Sequence, residues 1–422
     1  MKIVVRTPCE KALAWLWVIA CILGIFLVVP LARGIQAIVA RTIGRAAFGY
    51  LVLAAVAAAG AGLLYALIVR LKVRSLSNYA WLAAVAGLYV YFTLERWEAP
   101  EEAVHFLEYG LLGYFLFRAL GLGIRDKSIY PVGFLLGSLV GLFDEILQWA
   151  MPGRYWDIRD VALNALSSGL IQVALWKGLK PAVISEKMTP ASVRRISALL
   201  AANAVLIGLC YLNTPQSVRS YTKVFPALSF LANEEAMGER KHVIRAPGIG
   251  TFYSRLTADE LENEDSAHSV KNARLLDEWR DKTYDQFLNH FTSSLTPFLY
   301  EMRVHIFRRD RRLEDAGKAE DPDARRAALL IAYKENQLLE TYFGRTLRKS
   351  AYPWDGNRTK AIASEIDANG AYTSPVSAGG LGFWGALSER TLWTGILLAG
   401  ICLVVLNAVV AKKTKSGRFA GE

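Results

Sequence analysis

Three clusters of ionisable side chains lie on or beside apolar stretches, and they carry most of the chemistry this sequence can do. The first is Glu101-Glu102-Ala103-Val104-His105-Phe106-Leu107-Glu108-Tyr109. The second is Asp144-Glu145 with Gln148, and the third is Arg154, Asp157, Asp160 and Asn164. Ionisable groups are costly inside a membrane, so those present there are paired, functional or both. His105 and the carboxylates could act as acid and base, or hold a hard divalent ion that bridges to a phosphate. The Arg154 guanidinium has the fork that grips a phosphate.

Such a site needs elements to hold it. Hydrophobic residues make up 53% of the 422, and mean hydropathy is +0.25, high for a soluble chain. Eight segments read as membrane spans: Ala12–Ala32, Ala46–Val69, Tyr79–Leu94, Ala103–Leu120, Pro131–Ala150, Val161–Trp176, Ile196–Leu212 and Leu392–Ala411. The fourth to sixth carry the polar clusters. Glu101, His105 and Glu108 are four and three apart and share one helical face. Glu108 would sit roughly 8 Å below the end of its helix at the usual rise per residue. Gly133, Gly137 and Gly141 form a ladder of small residues that lets helices pack closely, and its face continues into Glu145. Met151-Pro152-Gly153 turns the chain, and Asp160, Asn164 and Ser168 line the next helix.

Orientation follows from the cationic loops, which favour the cytoplasm. Lys2, Arg6 and Lys11, then Arg70, Lys72 and Arg74, then Arg125 and Lys127 fall on one side. Lys177, Lys180, Lys187, Arg194 and Arg195 join them, as does the tail with Lys412, Lys413, Lys415 and Arg418. The acidic loop with Glu95, Glu98, Glu101 and Glu102 falls opposite. Arg33, Arg41 and Arg45 dissent from the pattern. Eight spans place both termini in the cytoplasm, and the polar clusters and the stretch from Asn213 to Arg390 outside. The net charge of +11 is partly this loop bias, and no nucleic-acid partner is expected. The first segment reads as an uncleaved signal anchor. Cys21, Cys210 and Cys402 lie within spans and Cys9 in the cytosolic tail, so the outer stretch has no disulfide to hold it.

The polar constellation has a plain reading and a sharper one. In the plain reading it is a clasp: Arg154 pairs with a carboxylate, Asp157 or Asp160 caps the sixth helix, and Gln148 and Asn164 join helices. In the sharper reading it is a ligand site made of His105, Glu108, Tyr109, Asp144, Glu145, Gln148, Arg154, Asp157, Asp160 and Asn164.

The order acidic-x-x-His-Phe-x-x-Tyr, Gly-x-x-x-Glu-x-x-Gln, Pro-x-Arg-x-x-Asp-x-x-Asp-x-x-x-Asn resembles the VanZ-like membrane proteins. The match falls on His105, Phe106, Tyr109, Glu145, Gln148, Arg154, Asp157, Asp160 and Asn164, within about Tyr79 to Trp176. The family's prototype lies in a glycopeptide-resistance cluster linked to teicoplanin resistance. The resemblance implies a bacterial cytoplasmic (inner) membrane protein tied to the cell envelope, without implying a reaction. Two departures stand out. Glu101-Glu102-Ala103 replaces the Asp-Lys often found ahead of the His, and Ser167 stands where a Gly is usual.

The outer stretch reads as mainly helical. Leu276, Trp279, Phe287, Phe291 and Leu295 repeat at helical spacing from about Ser266, and Pro297 ends or kinks that helix. Phe298, Met302 and Ile306 continue a stripe to about Leu313. Asp321-Pro322 caps a further helix carrying Leu330, Leu338 and Tyr342 to about Arg348. His242, His268, His290 and His305 lack metal-site spacing and read as ordinary packed or exposed histidines. Arg308-Arg309-Asp310-Arg311-Arg312 reads as a solvated face that could touch anionic headgroups or an acidic partner. Ala351 to Gly385 is rich in turn residues, and Trp384 and Trp393 suit an interfacial belt.

The expected fold class is all-α: a polytopic integral membrane helical bundle of about eight transmembrane helices with a mainly helical extracytoplasmic insert. Its parts are residues 1–212, 213–390 and 391–422. No cofactor is recognisable, though a divalent metal ion could sit at the polar cluster. There is no phosphate-cradling Gly loop, nucleophile elbow or zincin pair. The favoured function is binding of a polar headgroup or ion at the outer leaflet, with membrane lipid as partner. The alternatives are a scaffold that docks other membrane or extracytoplasmic subunits, and an enzyme acting on a lipid-linked phosphate or glycan.

Overall fold

Apolar stretches become helices because backbone groups away from water must bond within their own segment. The computed structural model describes residues 8–97, 100–151, 154, 156–233, 236–239, 241–370, 372–376, 391, 393–401, 403–405 and 408. The chain divides into two units, Met1–Cys210 with Ser388–Glu422, and Tyr211–Leu387.

The first unit is all-helical among its described residues. Its helices are α1 (Pro8–Thr42), α2 (Ala46–Tyr65), α3 (Leu76–Glu95), α4 (Val104–Leu120), α5 (Ile129–Trp149), α6 (Ile158–Val173) and α7 (Pro190–Leu212). π-Helical turns extend α2 through Ala66–Arg70 and α6 through Ala174–Leu179. By length and composition, four helices can cross a membrane: Pro8–Thr42, Ala46–Arg70, Ile129–Trp149 and Pro190–Leu212. The helices α4 and α6, which carry much of the polar cluster, have only 17 and 16 residues. Near the C-terminus, Trp393–Val405 is a shorter apolar helix. Cys402 and the cationic tail of Lys412, Lys413, Lys415 and Arg418 lie outside the described residues, as do Lys2, Arg6, Glu98, Pro152, Gly153, Gly379, Gly380 and Trp384.

The first helix is longer than its apolar run. It continues past Pro30 to Thr42, so Arg33 and Arg41 are helical rather than loop residues. Arg45 forms an ion pair with Glu101, and Arg96 forms one with Glu102. The dissenting arginine thus meets the acidic loop that the charge pattern set opposite the cationic ones.

Three helices pack at the centre of this unit. α5 runs antiparallel to both α4 and α6. Ile129 lies against Gly121, whereas Asp144 lies against Tyr109. Between α5 and α6 the glycine ladder fixes the register. Cβ atoms at Gly133, Gly137 and Gly141 would collide with Gln172, Ser168 and Asn164 in turn. Each step of four along α5 meets a step of four back along α6, so one face of each helix approaches the other almost backbone to backbone. The third helix enters through Tyr89, whose hydroxyl donates to the Ser167 carbonyl at 2.9 Å.

The second unit is mainly helical, with one hairpin that the hydrophobic pattern did not announce. Strands β1 (His242–Ala246) and β2 (Gly250–Ser254) pair antiparallel around a turn with Gly248 at φ 72° and Gly250 at φ 145°. Its principal helices are α8 (Pro215–Val224), α9 (Ala258–Glu278), α10 (Tyr284–His290), α11 (Pro297–Lys318), α12 (Pro322–Tyr342), α13 (Gly344–Lys349) and α14 (Gly356–Glu365). The stripe from Leu276 to Leu295 is not one helix. α9 stops at Glu278, and Thr283 opens α10 with a capping box closed by Gln286. Pro297 starts α11 instead of ending its predecessor, because proline at the first helical position lacks only an N–H that has no partner there. Asp321 caps α12 as expected, accepting from the Ala324 amide at 3.0 Å. Phe252, Leu276, Phe287, Met302, Ile306, Leu338 and Phe343 form the buried apolar core of this unit.

Candidate functional site

The polar cluster occupies the shared end of α4, α5 and α6. The start of α4 brings His105 and Glu108, the last turns of α5 bring Asp144, Glu145 and Gln148, and the start of α6 brings Asp157, Asp160 and Asn164. Both neighbours of α5 run opposite to it, so residues distant in sequence arrive at one level.

The contacts fall into three groups. His105 Nδ1 lies 3.4 Å from Glu108 Oε2. The buried Tyr109 hydroxyl donates to Asp144 Oδ2 at 3.0 Å. Gln148 Nε2 donates to Glu145 Oε1 at 2.7 Å, and the Arg154 guanidinium donates to the Gln148 amide oxygen. The other Glu145 oxygen accepts from the Asp157 amide at 3.4 Å. Asp160 enters through its charge, which acts on His105 and on Glu145.

Two details depart from the sequence expectation. Arg154 bonds an amide oxygen, not a carboxylate. The carboxylate-bound arginine is Arg159, two residues after Asp157, with Nη2 2.6 Å from Asp157 Oδ2. Asp157 also caps α6 by accepting from the Arg159 amide at 2.8 Å, so of the two candidate caps it is Asp157 and not Asp160. Arg159 escaped notice because it is no motif position; it lies in the first turn of α6, where the cap geometry brings it onto Asp157.

The site is buried but not fully satisfied. Asp144 is 2% exposed and Glu145 and Asn164 are 0% exposed. Among the described residues, Asp144 Oδ1, His105 Nδ1 and both amide atoms of Asn164 make no hydrogen bond. An unmet buried amide is costly, at about 1–3 kcal/mol for each lost partner. Asn164 faces Gly141 and Tyr109, since a Cβ on Gly141 would lie 2.8 Å from Asn164 Cβ and 3.5 Å from Tyr109 Cε1. The Asn164 side chain therefore packs beside Gly141, on the side of α5 that also meets the Tyr109 ring. Ser167, which departs from the usual Gly, donates to the Phe106 carbonyl at 3.0 Å. That serine holds the helix of the histidine against α6.

Residues 16–180 match the family model described as VanZ/LLP1. Over that stretch the chain is VanZ-like. The match takes in α1 to α6, well beyond the motif-bearing segments alone. No curated protein and no solved structure matches the chain. Within the VanZ-like region the motif residues His105, Tyr109, Glu145, Gln148, Arg154, Asp157, Asp160 and Asn164 all belong to the cluster described above. Among the described residues no three His, Cys, Asp or Glu side chains stand where they could share one metal ion.

The second unit holds a polar network that sequence reading passed over. His305 is buried, with Nδ1 2.5 Å from Glu335 Oε2. The other Glu335 oxygen accepts from Ser374 Oγ at 2.8 Å and from the Tyr372 hydroxyl, and it pairs with the Arg308 guanidinium, whose Nε lies 2.9 Å away. Burial pushes the Glu335 carboxyl up, but His305 and these donors more than offset it and hold it below its ordinary value. No motif marks this set, because its members lie 27 to 39 positions from Glu335 and only the α11–α12 packing and the following segment unite them.

Proposed function

We propose that the VanZ-like region binds a polar lipid headgroup at the end of α4, α5 and α6, on the outer leaflet of the membrane. One observation carries the reading: the Asn164 amide is buried with neither polar atom bonded among the described residues, and the buried Asp144 of the adjoining helix has one oxygen without a hydrogen bond. A group bearing hydroxyl or amino donors would satisfy Asp144 and the Asn164 oxygen, while its own acceptor would take the Asn164 N–H. Carboxylates outnumber cations in the cluster, which favours such donors over a bare anion. Arg154 spends a donor on Gln148 and keeps others, so a phosphate on the same headgroup has a place to rest.

In this reading the chain is a multi-pass protein of a bacterial cytoplasmic membrane. The cationic loops place both termini in the cytoplasm, and the Tyr211–Leu387 unit is extracytoplasmic. The short helices α4 and α6 complete the bundle beside the four that are long enough to cross alone. The test is thermal melting of the full chain in mild detergent, with and without extracted bacterial lipid. Lipid is expected to raise the melting temperature of the parent. Asn164→Ala should melt near the parental temperature without lipid and show a smaller rise than the parent with it. A rise equal to that of the parent would overturn the assignment.

A second reading rests on the Tyr211–Leu387 unit, which has an apolar core of its own. A folded domain of that size suits docking to another membrane or extracytoplasmic subunit. A partner that co-purifies with the parent, and is lost when this unit's surface is changed, would favour the scaffold role.

A further inference from the structure

Away from the polar cluster, at the other ends of the VanZ-like helices, α1, α4 and α7 enclose a groove of about 420 Å³. Its walls are apolar, from Trp15 on α1 to Leu120, Leu122 and Ile124 at the end of α4. Its rim carries two cations, Lys11 on α1 and Arg195 on α7. Both are exposed, and neither forms an ion pair among the described residues. Asp126 is a carboxylate that senses Arg195. It is committed elsewhere, to the Ser192 hydroxyl at 2.5 Å and the Ser128 amide at 2.8 Å.

We propose that this groove holds an anionic phospholipid of the leaflet on this side, with its phosphate between Lys11 and Arg195. Three observations select a lipid over other occupants. The cations stand at the ends of helices apolar and long enough to span, where headgroups lie. The floor beneath them is hydrocarbon, and it continues into apolar surface exposed along α1 and α7 at Leu16 and Leu200. Trp15 is 42% exposed, and a half-buried indole at this depth suits the interface. Arg125, after α4, and Arg194, on α7, are also exposed and extend the positive field around the opening. Basic pockets between membrane helices on the cytoplasmic side suit anionic headgroups. The groove is separate from the outer-leaflet site, so either proposal can fail without the other.

The experiment titrates the purified full chain in mild detergent with phosphatidylglycerol, with phosphatidylcholine and with inorganic phosphate. Melting temperature and bound-lipid mass are the readouts. Phosphatidylglycerol is expected to bind and stabilise the parent. The Lys11→Gln, Arg195→Gln double variant should bind it at least tenfold more weakly, with the lipid-free melt unchanged. Asn164→Ala should keep the full response. Should the double variant fold poorly, Lys11→Gln alone serves and should still weaken binding several-fold. Equal stabilisation by phosphatidylcholine would overturn the proposal. So would equal stabilisation by phosphate alone, or undiminished binding by the variants.

Discussion

Gly137 and Ser168 meet so closely that a Cβ on Gly137 would lie 2.1 Å from the Ser168 hydroxyl oxygen and 2.7 Å from its Cβ. No real side chain tolerates that approach. The contact sits between equivalent steps at Gly133 with Gln172 and Gly141 with Asn164. It sets how near α5 comes to α6, and hence whether Glu145 reaches the cap of α6. Gly137→Ala is therefore expected to push the helices apart and cost about 1–3 kcal/mol, as overpacking does. Thermal melting in detergent measures it. Adding Ser168→Ala should restore only part of the loss, because the Ser168 Cβ remains in the way.

The two arginines beside the cluster should separate cleanly. Arg154 bonds the neutral amide of Gln148, so Arg154→Ala leaves no charge stranded. Arg159 holds the buried Asp157 carboxylate through Nε and Nη2. Charge-assisted bonds are the stronger kind. Arg159→Ala should therefore lower the melting temperature more than Arg154→Ala. Equal losses would mean that Arg154 also serves as structural support.

Acid should loosen the helical pair α11–α12 before the rest of its unit. The Glu335 carboxyl sits below its ordinary value of 4.5. Its folded value is thus below its unfolded one, so its stabilisation is present above pH 4.5 and is lost as pH falls through the folded value. Hydrogen exchange on peptides of α11 and α12 should rise below pH 4.5 in the parent. In Glu335→Gln exchange should already be raised at neutral pH and respond less to acid.

Reporter fusions test the orientation. A reporter that is active only in the cytoplasm should be silent when fused after Asn213 and active when fused after Lys413. Cytoplasmic activity after Asn213 would invert the assignment and move the polar cluster to the inner leaflet.

By itself the sequence determined what local pattern can encode. Apolar length marked the four helices long enough to span, and three-residue spacing put His105 and Glu108 on one face. Gly133, Gly137 and Gly141 marked a close-packed seam, and Asp321-Pro322 marked a helix start. It also announced the VanZ-like region, because that motif is carried by residues close together along each helix. Local pattern could not say which partner each polar group takes. Arg154 turned to Gln148 and left Asp157 to Arg159, a choice made by the turn into α6. The unmet amide of Asn164 became visible only when Gly141 brought α5 against it. His305 and Glu335 looked like two ordinary helical residues until α11 and α12 packed face to face. Covalent neighbours set periodicity and capping, whereas burial and partner choice depend on distances between segments, and only the packed tertiary structure fixes those.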